Sequence, residues 1–157
     1  MTQAFLYSVE REYPASINDL WSAWTDPAKL EAWYFPTALK SVPGATESEL
    51  HIGGLWSCGV DVAEYGFVAY FYGKYVKIEH QKLIEHTLHY TQSKDEFEAK
   101  DFDTESHLVV LDFEERGKSS WVKFSQFGEL PEGQAEQAQQ GMESYFDSLL
   151  NFLTNSR

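Results

Sequence analysis

Cysteine is almost missing from this sequence, and the single Cys58 excludes an internal disulfide and any metal site built on several thiolates. Positive charge is also scarce: 12 Lys and Arg stand against 25 Asp and Glu, giving a net charge of −13. Such a chain repels phosphate backbones and anionic lipid surfaces, so neither nucleic acid nor a membrane is expected as a partner. No apolar run reaches the roughly eighteen residues needed to span a bilayer. The opening MTQAFLYSVERE lacks the basic and then apolar pattern of a leader. A cytoplasmic location is expected, where a lone thiol stays reduced. Dinucleotide-binding, phosphate-loop, zinc-protease and nucleophile-elbow motifs are all lacking, so no cofactor is expected.

What the chain has in quantity is apolar and aromatic surface. Of 157 residues, 43% are hydrophobic and 16% aromatic, enough to build the core of one domain spanning 1–157. Three of the five tryptophans fall within DLWSAWTDPAKLEAWYFP, from Asp19 to Pro36. That cluster could seal a core, line the mouth of a ligand pocket, or dock another protein.

Residues 5–13 alternate, with Phe5, Tyr7, Val9 and Tyr13 on one parity, as in a half-buried strand. Pro14 stops the strand, and Ser16 with Asp19 resembles a capping box. Ile17, Leu20, Trp21 and Trp24 then share one helical face. Asp26-Pro27 supplies the cap and first position of a second short helix ending near Trp33. Residues 37–48 read as a loop, and Gly53-Gly54 as a turn or bulge. Strand-like runs follow at 55–62, 67–78, 83–90, 106–114 and 120–127, joined mostly by hairpin-length connections. This predicts an antiparallel meander. The exception is the acidic stretch 91–105, expected to be a protruding hairpin tip or a mobile connection.

Past Pro131 the apolar period changes from two to 3.6, predicting a helix of about twenty residues. Its stripe runs through Ala135, Ala138, Met142, Tyr145, Phe146, Leu149, Phe152 and Leu153. A helix of that length needs a long apolar partner, and only the sheet qualifies. An α+β fold with a curved antiparallel sheet around the helix is therefore expected. Gly141 lies on the inward stripe, where it costs about 1 kcal/mol relative to alanine. Close approach of helix and sheet, or space left for a ligand, would offset that cost.

The motifs PASINDLWSAWTDPAKLEAWYFP, GGLW, GKYVKI, KLIEHT, LDFEERG and QQGMESYFDSLLNFL occur in this order. Together they resemble the activator-of-heat-shock-protein-90-ATPase homologue-like family, within the START/Bet v 1-like (SRPBCC) superfamily. The resemblance implies the helix-grip fold: a curved antiparallel sheet around a long C-terminal helix, two short helices after the first strand, and a hydrophobic cavity between sheet and helix. This chain departs from the family where Gly141-Met142 replaces Gly-Trp, Phe146 replaces leucine, Gln126 replaces histidine, and His86 replaces an aromatic residue. These are cavity positions, so ligand preferences of other members do not transfer. The co-chaperone that named the family relies on an additional N-terminal domain not seen in this sequence, so chaperone contact is not expected.

Strand parity combined with the resemblance proposes a ligand-binding lining. Trp56, Cys58 and Val60 face inward on one strand, Phe71 and Tyr75 on the next, and His86 and Leu88 on the third. Leu111, Phe124 and Gln126 continue it, opposite Met142, Tyr145, Phe146 and Leu149 of the helix. His86, Gln126, Tyr75 and Tyr145 are the polar groups that could orient a ligand. The resemblance makes Trp33, beside Tyr34 and the following loop, a gate. The expected function is binding of a small hydrophobic or aromatic molecule, with lipids and polyketides among the candidates, without catalysis. The alternatives are a cavity-based cyclase, hydrolase or lyase, and a co-chaperone or stress-related interaction protein. A filled core is the plainer reading of the same residues.

Catalytic and metal sites are not indicated. His86 and His89 sit three apart on a predicted strand and so point to opposite faces. His51, His80 and His107 fall near strand ends or turns, where exposure is ordinary. Nothing near Cys58 in sequence would depress its pKa, which predicts an inert buried thiol. The acidic stretch lacks the spacing of a calcium loop. The abundance of aromatic residues allows a homodimer as a further expectation.

Overall fold

The computed structural model describes residues 3–155. Strand β1 (Phe5–Tyr13) leads into α1 (Ile17–Thr25) and α2 (Pro27–Trp33). Ser16 Oγ accepts from the Asp19 amide at 3.1 Å, and the Asp26 carboxylate accepts from the Ala28 and Lys29 amides. Each helix therefore begins where a short polar side chain satisfies otherwise unpaired N–H groups. Two-residue strands β2 (Lys40–Ser41) and β3 (Glu47–Ser48) follow, within the stretch expected to be a loop. They form because β4 (Leu55–Val62) offers them an open edge.

The meander then runs through β4, β5 (Phe67–Glu79), β6 (Leu83–Thr91), β7 (His107–Arg116) and β8 (Ser119–Phe127). All pairings are antiparallel, and β1 returns to the free side of β8, giving the order β1-β8-β7-β6-β5-β4-β2. One irregularity in the β5–β6 pairing falls between Tyr75 and Lys77. Near it, a Cβ on Gly73 would lie 1.9 Å from the Thr87 carbonyl oxygen. Only glycine lets the two backbones come that close.

After a turn, the long helix, numbered α4 in chain order (Gln134–Asn155), lies across the concave face of the curled sheet. This is a helix-grip fold. Arg11 of β1 clamps α4 by ion pairs to Glu143 (3.0 Å) and Asp147 (2.7 Å), while Tyr13 donates to the Phe146 carbonyl at 2.8 Å. Thr37 N–H donates to Ser144 Oγ, and Ser148 donates to the Phe35 carbonyl, tying α4 to the segment after α2. Among the described residues, no helix is long and apolar enough to cross a membrane.

The acidic connection departs from expectation. Residues 94–99 form α3 (Lys94–Ala99), capped by Ser93, whose hydroxyl accepts from the Glu96 amide. Phe97 stacks on Tyr70 at 4.5 Å, and Phe102 meets Tyr72 edge-on at 5.6 Å. Phe97 is buried, on the convex face of the sheet, in a small cluster separate from the main core. The stretch is thus neither a hairpin tip nor a free loop, because two aromatic residues hidden among carboxylates hold it down.

Candidate functional site

Between α4 and the sheet lies a cavity of about 930 Å³. Its walls come from alternate residues of the strands: Tyr7 of β1, Phe71 of β5, Leu88 and Tyr90 of β6, His107 of β7, and Phe124 and Gln126 of β8. Ala138, Gly141, Met142 and Tyr145 form the roof on α4, and Tyr34 enters from the end of α2. Glu129, Leu130 and the first residue of α4, Gln134, rim it on one side, and Thr91 at the end of β6 with Glu96, Ala99, Asp101, Thr104 and Glu105 rims it on the other. A Cβ built on Gly141 meets nothing within 4 Å. The glycine therefore marks open space rather than a close approach of helix and sheet.

One wall carries a continuous hydrogen-bond chain. Tyr7 donates to Gln126 Oε1 at 2.7 Å, Gln126 Nε2 lies 2.7 Å from His107 Nδ1, and His107 Nε2 lies 3.1 Å from the Glu129 carbonyl oxygen. Since a carbonyl only accepts, the proton of a neutral His107 is assigned to Nε2, leaving Nδ1 to accept from the Gln126 amide.

Tyr34 and Tyr145 meet edge-on at 4.9 Å inside the cavity. Burial pushes the pKa of both phenols, and that of Tyr7, above the usual tyrosine range. They remain neutral donors at physiological pH. The Cys58 thiol lies close enough to influence Tyr34 and Tyr145, and its own pKa is raised by burial. Cys58 is thus protonated and poorly nucleophilic.

Of the residues proposed as lining, Phe71, Leu88, Phe124, Gln126, Met142 and Tyr145 meet at this cavity. Apart from Val60, the remainder belong to the main core at the other end of the groove or, as His86 does, pack against it. His86 stacks on Trp56 with ring centres 4.2 Å apart, and its Nδ1 lies 2.8 Å from the Thr87 carbonyl oxygen. Desolvation lowers its pKa to about 4, so it is a neutral core residue. Tyr75 lies edge-on to His86 and bonds to Ser48 Oγ at 2.6 Å. Cys58, Leu111, Phe146 and Leu149 are packed in the main core, while Val60 joins a smaller cluster with Val62 and Ala69.

The placement of Trp33 as a gate is corrected by the structure. Trp33 is 1% exposed, its indole N–H donates to the Ala23 carbonyl at 2.7 Å, and it meets Trp24 edge-on at 4.7 Å. It cements α1 to α2 and does not reach the cavity. Tyr34 does, because the chain leaves helical geometry at that residue (φ −78°, ψ 74°) and its ring swings toward α4. His107 was expected to be exposed, yet it is half-buried and forms part of the wall. Tyr90 and Tyr34 were also missed. Tyr90 shares the parity of His86 and Leu88, which was the available signal for it.

A curled antiparallel sheet gripping one long helix over an apolar cavity defines the START-like class of proteins, whose members often bind hydrophobic ligands. Residues 14–154 match the model of the Activator of Hsp90 ATPase homolog 1-like protein family, and the chain belongs to that family. Its fold is similar to that of the AHSA1 protein from Silicibacter pomeroyi (TM-score 0.79, 17% identity, covering 96% of this chain and 99% of that one). It is also similar to a protein from Chromobacterium violaceum (TM-score 0.76, 16% identity, 94% and 96% covered). A third, from Staphylococcus epidermidis, has a TM-score of 0.75 and 21% identity, with 96% and 90% covered. At these identities the likeness concerns the fold alone. No curated protein matches the chain.

Proposed function

We propose that the protein binds a small apolar or aromatic molecule in this cavity and does not transform it. The observation that carries the reading is a cavity of about 930 Å³ roofed at Gly141 by open space. That size is in the range of small-molecule sites, which are mostly apolar with a few placed polar groups. A glycine on the inward face of a long helix lowers helix stability, and room for a ligand is a physical reason to keep it. Met142 adds a flexible thioether that adapts to ligand shape. Both ring nitrogens of His107 are engaged in the wall, which supports a structural role for it rather than proton transfer.

The test is a heteronuclear NMR screen with flat aromatic compounds, lipids and sterols. Binding in the cavity shifts amides at Phe71, Leu88, Gly141 and Met142. The reading fails if none of the compounds moves them, or if shifts cluster only on the convex face around Phe97.

A further inference from the structure

From the distribution of polar groups we infer the chemical class of the occupant, an inference that rests on the cavity being a binding site. The molecule is an apolar or aromatic carbonyl compound that carries an amine, with its carbonyl oxygen at Tyr34 and Tyr145 and its ammonium at the mouth.

The inner end supplies donors. Tyr34 is 5% exposed and lines the cavity, and among the described residues its hydroxyl makes no hydrogen bond. The neighbouring Tyr145 is half-buried and also lines the cavity, and among the described residues its hydroxyl makes no hydrogen bond. Both hydroxyls keep accessible surface on the cavity, unlike the fully buried unpaired atoms Trp24 Nε1 and Thr46 Oγ1, so an occupant that displaces water from the cavity must bring them an acceptor. Their raised pKa values keep them as donors, and the same desolvation disfavours an anion beside them. A neutral carbonyl oxygen meets both conditions; a carboxylate meets only the first.

The outer end supplies negative charge. Glu96, Asp101, Glu105 and Glu129 line the mouth, and no Lys or Arg does. The two lysines of the neighbouring segment are engaged elsewhere: Lys94 lies 3.9 Å from Glu98, and Lys100 lies 3.6 Å from Glu47 and over the Phe97 ring. The carboxylates do not converge as a metal site, since among the described residues no group of three or more His, Cys, Asp or Glu could hold an ion. An organic ammonium tethered to the buried body fits such a diffuse rim, while a fatty acid or acyl phosphate is repelled by it.

The experiment titrates the full chain, by calorimetry at low salt, with naphthyl ketones bearing an amine, an amide or a carboxylate at the end of a short alkyl chain. The amine binds tightest and the carboxylate weakest, with a gap of about tenfold or more that narrows at high salt. Glu105→Gln combined with Glu129→Gln shrinks the gap. Tyr34→Phe weakens the amino ketone by about fivefold but leaves the analogue with methylene in place of the carbonyl unchanged. Equal affinity for amine and carboxylate, or an equal response of ketone and methylene compounds to Tyr34→Phe, overturns the inference while leaving the cavity a binding site. If none of these ketones binds while a compound of the NMR screen occupies the cavity, the inference falls and the cavity remains a binding site; if nothing in either set binds, both fall.

Discussion

The two ends of the groove beneath α4 are built from the same strands, with the same alternation of side chains, yet one is solid and the other hollow. At the solid end Trp24, Trp33, Trp56, His86 and Phe146 pack with ring centres mostly 4–6 Å apart, and α1 and α2 close over them. At the hollow end the helix presents Ala138 and Gly141, the strands present Phe71, Leu88 and Gln126, and only the rim near α3 and the start of α4 stands outside. Parity therefore decides which side chains face the groove. The size of the helix residues and the position of the connecting helices decide whether they meet.

This division can be broken most severely at the solid end. Trp33→Ala removes a fully buried indole and its hydrogen bond to Ala23, and is expected to lower stability by about 3–5 kcal/mol in denaturant unfolding. A variant of normal stability but altered ligand entry would return Trp33 to the role of a gate.

His86 makes the same end sensitive to acid. Folded His86 takes a proton only near pH 4, against an unfolded value of 6.5. The unfolded state therefore binds the proton first as pH falls, so this contribution is complete above about pH 6.5 and is lost toward pH 4. The loss amounts to about 3 kcal/mol from the linkage of pKa to stability. In His86→Gln the loss of unfolding free energy between these pH values should shrink by that amount; an unchanged loss would mean that the imidazole is not buried neutral.

Two glycines sharpen the contrast with opposite signs. Gly73→Ala forces a Cβ against the Thr87 carbonyl and should destabilise by about 1–3 kcal/mol or more. Gly141→Ala meets open space and should stabilise by about 1 kcal/mol through helix propensity, while narrowing the cavity. Thermal unfolding of the two variants side by side checks both. Equal signs would mean that the cavity roof is already filled.

Much of this architecture was legible from residue order. The alternation of β1 and β4–β8, the caps at Ser16 and Asp26 and the long stripe of α4 are local signals, and the family motifs fixed their arrangement. The helix at Lys94–Ala99 was not legible, because it is short and its anchors Phe97 and Phe102 are outnumbered by carboxylates. Nor did pattern reveal the extent of the cavity. Period two assigns a face but no depth, so His86 and Leu88 looked equivalent although one is stacked on Trp56 and the other borders open space. Trp33 and Tyr34 are neighbours in the chain, and the backbone turn at the end of α2 alone separates their roles.

The central claim, that only one end of the groove is open, is tested most directly by nuclear Overhauser contacts from a bound aromatic compound. The account predicts contacts to the Met142 methyl and the Leu88 methyls, and none to the indole protons of Trp33 or Trp56. Contacts to those indoles, with Met142 and Leu88 silent, would contradict it.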